Sequence, residues 1–244
     1  MRLVIDFGNT CIKAGIFTKE TLIEAFVYEV GISHKVLLND VADFRISKVF
    51  FGTASHINKW KKFYSGLKQY FKSAPRIFTK SDFANMFDLK QYENVNIGTD
   101  ILALNLFLKT NYGRACGFCL GTAYWATIVE NKFIRGVVIA PNVVNSLNGL
   151  LETTNIKTKL PDVYEKEIGY DTITALEAGT KNMIEGFVIN FAKYAKRQFN
   201  IDKFIITGGD MQNVSYLKSN KVKFELIEHG VLHGYNILAE EEQL

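Results

Sequence analysis

Residues that could carry chemistry are concentrated near the start of the chain, between positions 6 and 13. Apolar residues lead into Asp6, Gly8 and Asn9 supply turn chemistry, and apolar residues follow, so the segment is predicted to be a β-hairpin. Thr10 and Lys13 add a hydroxyl and a cation suited to phosphate oxygens, and Asp6 is placed to hold a divalent metal on that phosphate. Glycine turns also join strands in proteins that bind nothing, so the hairpin alone leaves both interpretations open.

The length and charge of the chain favour a globular protein of two halves that does not bind nucleic acid. The chain has 244 residues, of which 48% are hydrophobic, and this is enough to fill two compact halves. The net charge is +4, but the basic residues are spread along the chain, and their one dense cluster, at positions 59–62, is typical of a solvated helix face. We therefore expect no nucleic-acid partner.

The lack of an evident targeting segment and the number of cysteines both lead us to expect a cytoplasmic location. No apolar run approaches the length of a membrane span and no N-terminal signal is evident, so we expect no membrane partner and a cytoplasmic location. The three cysteines, Cys11, Cys116 and Cys119, are too few for a disulfide framework. Cys116 and Cys119 have the spacing of redox and zinc motifs but lie in a predicted strand, so we interpret them as buried thiols.

Apolar periodicity after the hairpin predicts alternating strands and helices. Strands are predicted at 22–28, 46–51, 115–120, 126–129, 133–139, 203–206 and 224–227. Helices are predicted at 57–71, 101–109, from 173 onward and at 230–238.

Three loops between these elements carry polar or glycine residues. Gly98, Thr99 and Asp100 precede a helix, where the carboxylate is either an N-cap or a functional group. The Gly121-Thr122 turn follows an apolar strand as the hairpin turn does, which is expected of two related halves. The pair Gly208-Gly209 also ends a strand, and two glycines would let backbone lie flat against a nucleotide.

The motif Asp-x-Gly-Asn-Thr-x-x-Lys-x-Gly-x-Phe, beginning at Asp6, resembles the first phosphate motif of the type III pantothenate kinases. The resemblance covers nearly the whole chain, with motifs in the same order. It implies an α/β fold of two duplicated ribonuclease-H-like, actin-like ATPase domains, each a mixed sheet flanked by helices. We place the boundary between residues 1–111 and 112–244. It also implies that Gly121, Thr122, Gly208 and Gly209 join the hairpin in binding ATP with Mg²⁺.

The resemblance also assigns the substrate side of the site. In that family a tyrosine-containing loop runs into Gly-x-Asp, and the carboxylate acts as general base toward the hydroxyl of pantothenate. Tyr92, Gly98 and Asp100 match in order, with Thr99 between the last two, so Asp100 is the predicted base and all four are predicted to bind pantothenate. Thr172 matches a threonine that contacts pantothenate, although Asp171 or Thr172 could equally cap a helix.

Several positions depart from the family pattern. Ile101 replaces an arginine that helps hold the pantothenate carboxylate, Tyr124-Trp125 replace two threonines, and Val137 replaces a glycine. Cys119 stands where the family has an aspartate associated with an activating monovalent cation, so K⁺ or NH₄⁺ activation is expected to be lost, weakened or built differently. Asn142 replaces a turn glycine and is expected to adopt a positive φ there.

Two functions are consistent with this pattern. The first is ATP-dependent phosphorylation of pantothenate at the start of coenzyme A synthesis, by a homodimer that shares its site between subunits, as the resemblance implies. The second is a catalytically impaired kinase homologue that acts as a binding or regulatory accessory protein.

Overall fold

The computed structural model describes residues 1–53, 59–154, 156–158, 164–214 and 222–241. Within these residues the chain forms ten strands and six α-helices. The strands are β1 (Arg2–Phe7), β2 (Cys11–Thr18), β3 (Thr21–Glu29), β4 (Lys48–Thr53), β5 (Arg76–Ile77), β6 (Arg114–Leu120), β7 (Ala123–Glu130), β8 (Phe133–Pro141), β9 (Phe204–Thr207) and β10 (Phe224–Leu226). The helices are α1 (His34–Asp40), α2 (Lys59–Tyr70), α3 (Thr99–Tyr112), α4 (Val143–Thr154), α5 (Thr172–Phe199) and α6 (Gly230–Glu241).

The chain divides into two compact units that are discontinuous in sequence. The first comprises Met1–Asn111, Asn131–Ile134 and His229–Leu244, and the second comprises Tyr112–Glu130 and Arg135–Glu228. A break therefore falls between residues 111 and 112, where the boundary is predicted. Helix α6 belongs to the first unit, however, although the predicted boundary places it in the second half.

The sheet of the first unit has the strand order β3-β2-β1-β4-β5. Strand β1 is central, antiparallel to β2 and parallel to β4, so the sheet is mixed. Every residue of β1 is buried because both faces of the sheet are covered. Helices α1 and α2 pack on the face that carries Leu3, Ile5 and Phe7, and α6 packs against β1, β2 and β4.

The sheet of the second unit repeats that order as β8-β7-β6-β9-β10. The first strand of the unit, β6, is again central, antiparallel to β7 and parallel to β9. One face carries Phe118 and Leu120, which belong to a core shared with Ile184, Val188 and Ala192 of α5. The repeated order confirms the predicted duplicated ribonuclease-H-like fold.

The predicted elements agree with the structure within a few residues, apart from Ile57 and Asn58 of the second predicted helix, which lie outside the described residues. Cys116 and Cys119 are buried in β6, as predicted, and Lys61 and Lys62 are exposed on α2. Across the described ranges, no helix combines the length and the apolar character needed to cross a membrane.

Candidate active site

The loop between β1 and β2 closes through a backbone bond rather than through unusual backbone angles. The Gly8 amide donates to the Cys11 carbonyl at 3.0 Å, and a Cβ at Gly8 would lie 2.9 Å from that oxygen. The described residues with positive φ do not include Gly8, Asn9 or Thr10. Glycine is therefore needed for space inside the turn. The Gly8 N–H is used by the turn, while Asn9 and Thr10 are exposed at its tip.

Asp6 lies near the end of β1, opposite Lys13 on β2 and Gly52 on β4. Its side chain is buried, and its Oδ1 atom has no hydrogen-bond partner among the described residues. Burial raises the pKa of Asp6 to about 7; the Lys13 ammonium opposes that rise and the Asp100 carboxylate adds to it. A buried, unpaired carboxylate oxygen is costly unless a cation or donor reaches it, which makes this atom a candidate metal ligand.

Asp100 is the second residue of α3, so it is not the N-cap residue of that helix. The Leu102 amide donates to the Gly98 carbonyl at 3.2 Å, which starts the helix, and Asp100 lies in its first turn. There the helix dipole favours a carboxylate. A Cβ at Gly98 would lie 2.3 Å from Asp100 Oδ1, so a larger residue at 98 would require the carboxylate to shift.

Tyr235 of α6 connects the parts of the site in the first unit, and it is a site residue that no sequence motif predicted. Its buried hydroxyl lies 2.7 Å from Thr99 Oγ1, which donates to the Thr53 carbonyl at 3.1 Å. Burial, together with the Asp6 and Asp100 carboxylates, raises the pKa of Tyr235 well above its ordinary value. The only sequence signal was its position in the apolar pattern of the terminal helix.

A glycine at position 52 makes room for that tyrosine. A Cβ on Gly52 would lie 2.1 Å from the Tyr235 ring, so the ring packs directly on the backbone of β4. On its other side Tyr235 stacks on Phe78, with ring centroids 5.7 Å apart. The first unit thus brings together Asp6, Lys13, Thr99 and Asp100 around the ends of β1, β4 and α3.

Tyr92 ends a short 3₁₀ helix, Lys90–Tyr92, in the loop that leads to α3. Its side chain is partly buried, and burial raises its pKa. The loop is tied to the segment Asn131–Ile134: Gln91 Nε2 donates to the Ile134 carbonyl, and the Asp88 amide donates to the Lys132 carbonyl at 2.8 Å.

In the second unit the two glycine loops lie against each other at the end of β6. Gly208 has a φ of +111°, and a Cβ there would lie 2.2 Å from the Leu120 carbonyl oxygen. The Asp210 amide donates to that carbonyl at 3.0 Å. The unit therefore places the Gly208-Gly209 loop against Leu120, next to the Gly121-Thr122 turn.

Asn142 does not have the positive φ that was predicted, and serves two other functions. Its Oδ1 accepts from the Asn145 amide at 2.8 Å in the first turn of α4. Its Nδ2 donates to the Gly121 carbonyl at 3.1 Å, and Asn145 Nδ2 donates to the Thr122 carbonyl at 3.3 Å. Two amide side chains therefore hold the Gly121-Thr122 turn.

Thr172 is the exposed first residue of α5, and Asp171 is the N-cap. The Asp171 carboxylate accepts from the Thr174 amide at 2.8 Å in a capping box, and these bonds lower the pKa of Asp171. The alternative in which Thr172 caps the helix is wrong, so its hydroxyl is available for another contact.

The residues that depart from the family pattern are packed into the fold. Tyr124, Trp125 and Cys119 are buried in the second unit, and Cys119 pairs with Trp125 across β6 and β7. The Tyr124 hydroxyl donates to Asp210 Oδ2 at 2.8 Å, so it holds the Gly208-Gly209 loop. In the first unit Ile101 is buried in α3, and Val137 of β8 is half-buried.

Two sheets with one strand order, and a glycine hairpin beside a buried carboxylate, define the actin-like class of kinase and ATPase folds. The structure is similar over 99% of its length to 98% of a conserved Baf family protein from Campylobacter jejuni, named as a candidate transcriptional activator (TM-score 0.60, 17% identity). It is also similar, over 98% of its length, to 99% of a ROK family glucokinase from Streptomyces griseus in complex with glucose and AMPPNP (TM-score 0.53, 10% identity). These likenesses establish the fold.

The sequence comparisons identify the family. Residues 2–194 match the family model described as type III pantothenate kinase. A type III pantothenate kinase from Malacoplasma penetrans is 28% identical over 96% of this chain and 94% of its own length. The chain therefore belongs to the type III pantothenate kinase family.

Proposed function

We propose that this protein transfers the γ-phosphoryl group of ATP to the hydroxyl of pantothenate. The observation that carries the proposal is the placement of Asp6 and Asp100 in the first unit. The charge of Asp100 raises the pKa of Asp6, and Asp6 lies on the strand that leads into the β1–β2 hairpin. Thr99, next to Asp100, is bonded to the end of β4, the strand that pairs with β1. Family membership supplies the substrate class.

Asp6 and Lys13 would hold the phosphate end of ATP. The unpaired, buried Oδ1 of Asp6 suits a hard divalent cation such as Mg²⁺, which would favour the ionised carboxylate. When bound, Mg²⁺ would neutralise phosphate charge. Lys13 adds a cation one strand away, and the exposed Asn9 and Thr10 at the hairpin tip can donate to phosphate oxygens.

Asp100 is the proposed general base. As the pantothenate hydroxyl oxygen forms its bond to the γ-phosphorus, the carboxylate accepts the hydroxyl proton, and the bond between that phosphorus and the β,γ-bridging oxygen breaks to release ADP. Gly98 supports this role because it leaves space for the carboxylate above the helix start. Tyr92, in the loop before α3, and Thr99, the first residue of α3, are also proposed to contact pantothenate. Thr172, the first residue of α5, is the proposed pantothenate contact in the second unit.

The nucleotide side is assigned to Gly121, Thr122, Gly208 and Gly209. Their packing around Leu120 supports one site within the second unit. Position 119 carries a buried thiol in place of the family carboxylate, and a thiol is a poor ligand for K⁺ or NH₄⁺. We therefore propose that turnover depends little on these monovalent cations.

A homodimer is the proposed assembly. Apolar side chains are exposed on α4, on α5 and just before α5, namely Val144, Leu150, Ile168, Tyr170, Ile173 and Met183. A second copy of the chain would cover such a surface. Sedimentation velocity of the purified protein should give twice the monomer mass of 27.7 kDa, and a monomer at micromolar concentration would contradict the dimer.

The activity is tested with the purified chain, ATP, Mg²⁺ and pantothenate, detecting 4′-phosphopantothenate by mass spectrometry. We expect turnover that Asp100→Asn lowers by at least roughly a thousandfold, as expected for loss of a general base, while nucleotide binding is retained. Asp43→Asn, which alters an exposed carboxylate of the same unit, is the matched control. Absence of turnover with and without K⁺ or NH₄⁺ would refute the kinase activity and favour the accessory role.

A further inference from the structure

The ammonium group of Lys80 lies within a ring of backbone carbonyl oxygens. Its Nζ donates to the carbonyls of Tyr92 at 2.7 Å, Glu93 at 3.3 Å and Val95 at 3.3 Å. A lysine ammonium has three N–H donors, and each has one of these acceptors. The three carbonyls belong to the loop that connects the Lys90–Tyr92 turn to Gly98 and Asp100.

Apart from Lys80, little holds residues 93–96, because the bonds from Asp88 and Gln91 to Asn131–Ile134 fix only the preceding part of the loop. Residues 93–96 are exposed, and burial resumes at Ile97, immediately before Gly98. Within the described part of the loop, the backbone bonds are the Glu93 amide to the Lys90 carbonyl at 3.1 Å and the Val95 amide to the Tyr92 carbonyl at 3.3 Å. An exposed segment with so few internal bonds opens readily unless another element holds it.

Lys80, in contrast, starts from a firmly held element. It is the first residue of a 3₁₀ helix, Lys80–Phe83, with Thr79 as N-cap. The Asp82 carboxylate accepts from the Thr79 amide at 2.6 Å and from Arg76 at 2.5 Å. Phe78 and Phe83, on either side of Lys80, are fully buried. The ammonium is thus fixed to the core of the first unit while its acceptors are on the loop.

We propose that Lys80 is a positioning residue, a built-in cation that orders the loop 92–97 and so sets the substrate side of the site. The proposal rests on the proposed function, because the loop carries Tyr92 and leads to Asp100. A lysine with a purely structural role would affect stability alone. An ordering cation also affects the KM for pantothenate, and another cation of similar size can replace it.

The test removes the cation and then returns it. Lys80→Ala should raise the KM for pantothenate about tenfold, the effect expected for losing charge-assisted hydrogen bonds, with the KM for ATP within about twofold of wild type. Propylammonium, which restores the missing atoms, should recover most of that loss at constant ionic strength. Tetramethylammonium has no N–H donor and should not. Lys80→Arg should keep part of the function, and Lys90→Ala, at an exposed lysine nearby, is the control.

Hydrogen exchange separates this inference from the proposed function. In Lys80→Ala, amides 92–97 should exchange at least roughly tenfold faster, and propylammonium should restore their protection whether or not the protein phosphorylates pantothenate. If wild type is inactive but exchange responds in this way, the proposed function fails and Lys80 still orders the loop. Unchanged exchange, or an equal response to tetramethylammonium, overturns the inference.

Discussion

The hydroxyl groups of Tyr235 and Thr99, 136 residues apart in sequence, lie 2.7 Å from each other beneath the first turn of α3. Thr99 has one hydroxyl proton and gives it to the Thr53 carbonyl, so Tyr235 is the donor to Thr99. This pair fixes the residue that immediately precedes the proposed base.

Tyr235→Phe should lower both stability and turnover. The variant keeps the ring that packs on Gly52 but removes one buried hydrogen bond, so the free energy of unfolding should fall by about 1 kcal/mol. Because Asp100 is then less well held, kcat should fall about tenfold, with little change in the KM for ATP. Urea unfolding and steady-state kinetics measure the two effects. A kcat equal to that of wild type would show that Thr99 needs no second support, and Tyr70→Phe, at an exposed tyrosine, is the control.

Asp6→Asn should stabilise the protein above neutral pH and abolish turnover. The folded-state pKa of Asp6 is about 7, above the ordinary value of 3.8, so its contribution to stability is full below pH 3.8 and is lost as pH rises through 7. Asparagine avoids that loss, and the gain in unfolding free energy should grow with pH to about 1–3 kcal/mol at pH 8. Chemical unfolding at pH 5 and pH 8 checks this. An equal effect at both values would contradict the raised pKa.

Gly208→Ala should be far more damaging than Gly209→Ala. The first adds a Cβ that overlaps the Leu120 carbonyl at a φ of +111°, whereas a Cβ at Gly209 meets nothing within 4 Å. We expect Gly208→Ala to lower the free energy of unfolding by more than about 3 kcal/mol, and Gly209→Ala to lower it by less than about 1 kcal/mol. Thermal unfolding of the two variants side by side makes the comparison, and similar losses would mean that the loop can move away from β6.

Tyr124→Phe should weaken nucleotide binding in particular. It removes the hydrogen bond to Asp210 Oδ2, so the Gly208-Gly209 loop loses one of its attachments. Calorimetric titration with AMPPNP should show an affinity lower by roughly fivefold to tenfold. An unchanged affinity would place the nucleotide elsewhere.

The fold was largely predictable because its signals are local. Strand β1 contains the apolar run Leu3–Ile5, the Gly8 turn follows it, and Ser33 caps α1 by accepting from the Lys35 amide, as serine commonly does at a helix start. What the sequence could not supply was the return of α6 to the first unit, since periodicity predicts a helix but not the sheet on which it packs. Tyr235 therefore remained hidden among apolar residues.

The candidate site also has some residues that sequence motifs predict and others that they do not. Asp100 was predicted from its motif, and the structure adds why position 98 is glycine. Lys80 had no sequence signal, because its partners are backbone carbonyls, which every residue type presents. The sequence also could not predict that Asn142 caps α4, since asparagine suits a left-handed turn and a helix cap equally well.

The last described helix is bound to the first strand. Arg2 Nε donates to Asn236 Oδ1 at 3.1 Å, and Arg2 pairs with Glu240 at 2.5 Å. During translation the first unit can therefore form its sheet early, but it lacks Tyr235 until residues 230–241 leave the ribosome. The first unit is thus completed only after the residues of the second unit have been synthesised, because most of that unit precedes α6 in the chain.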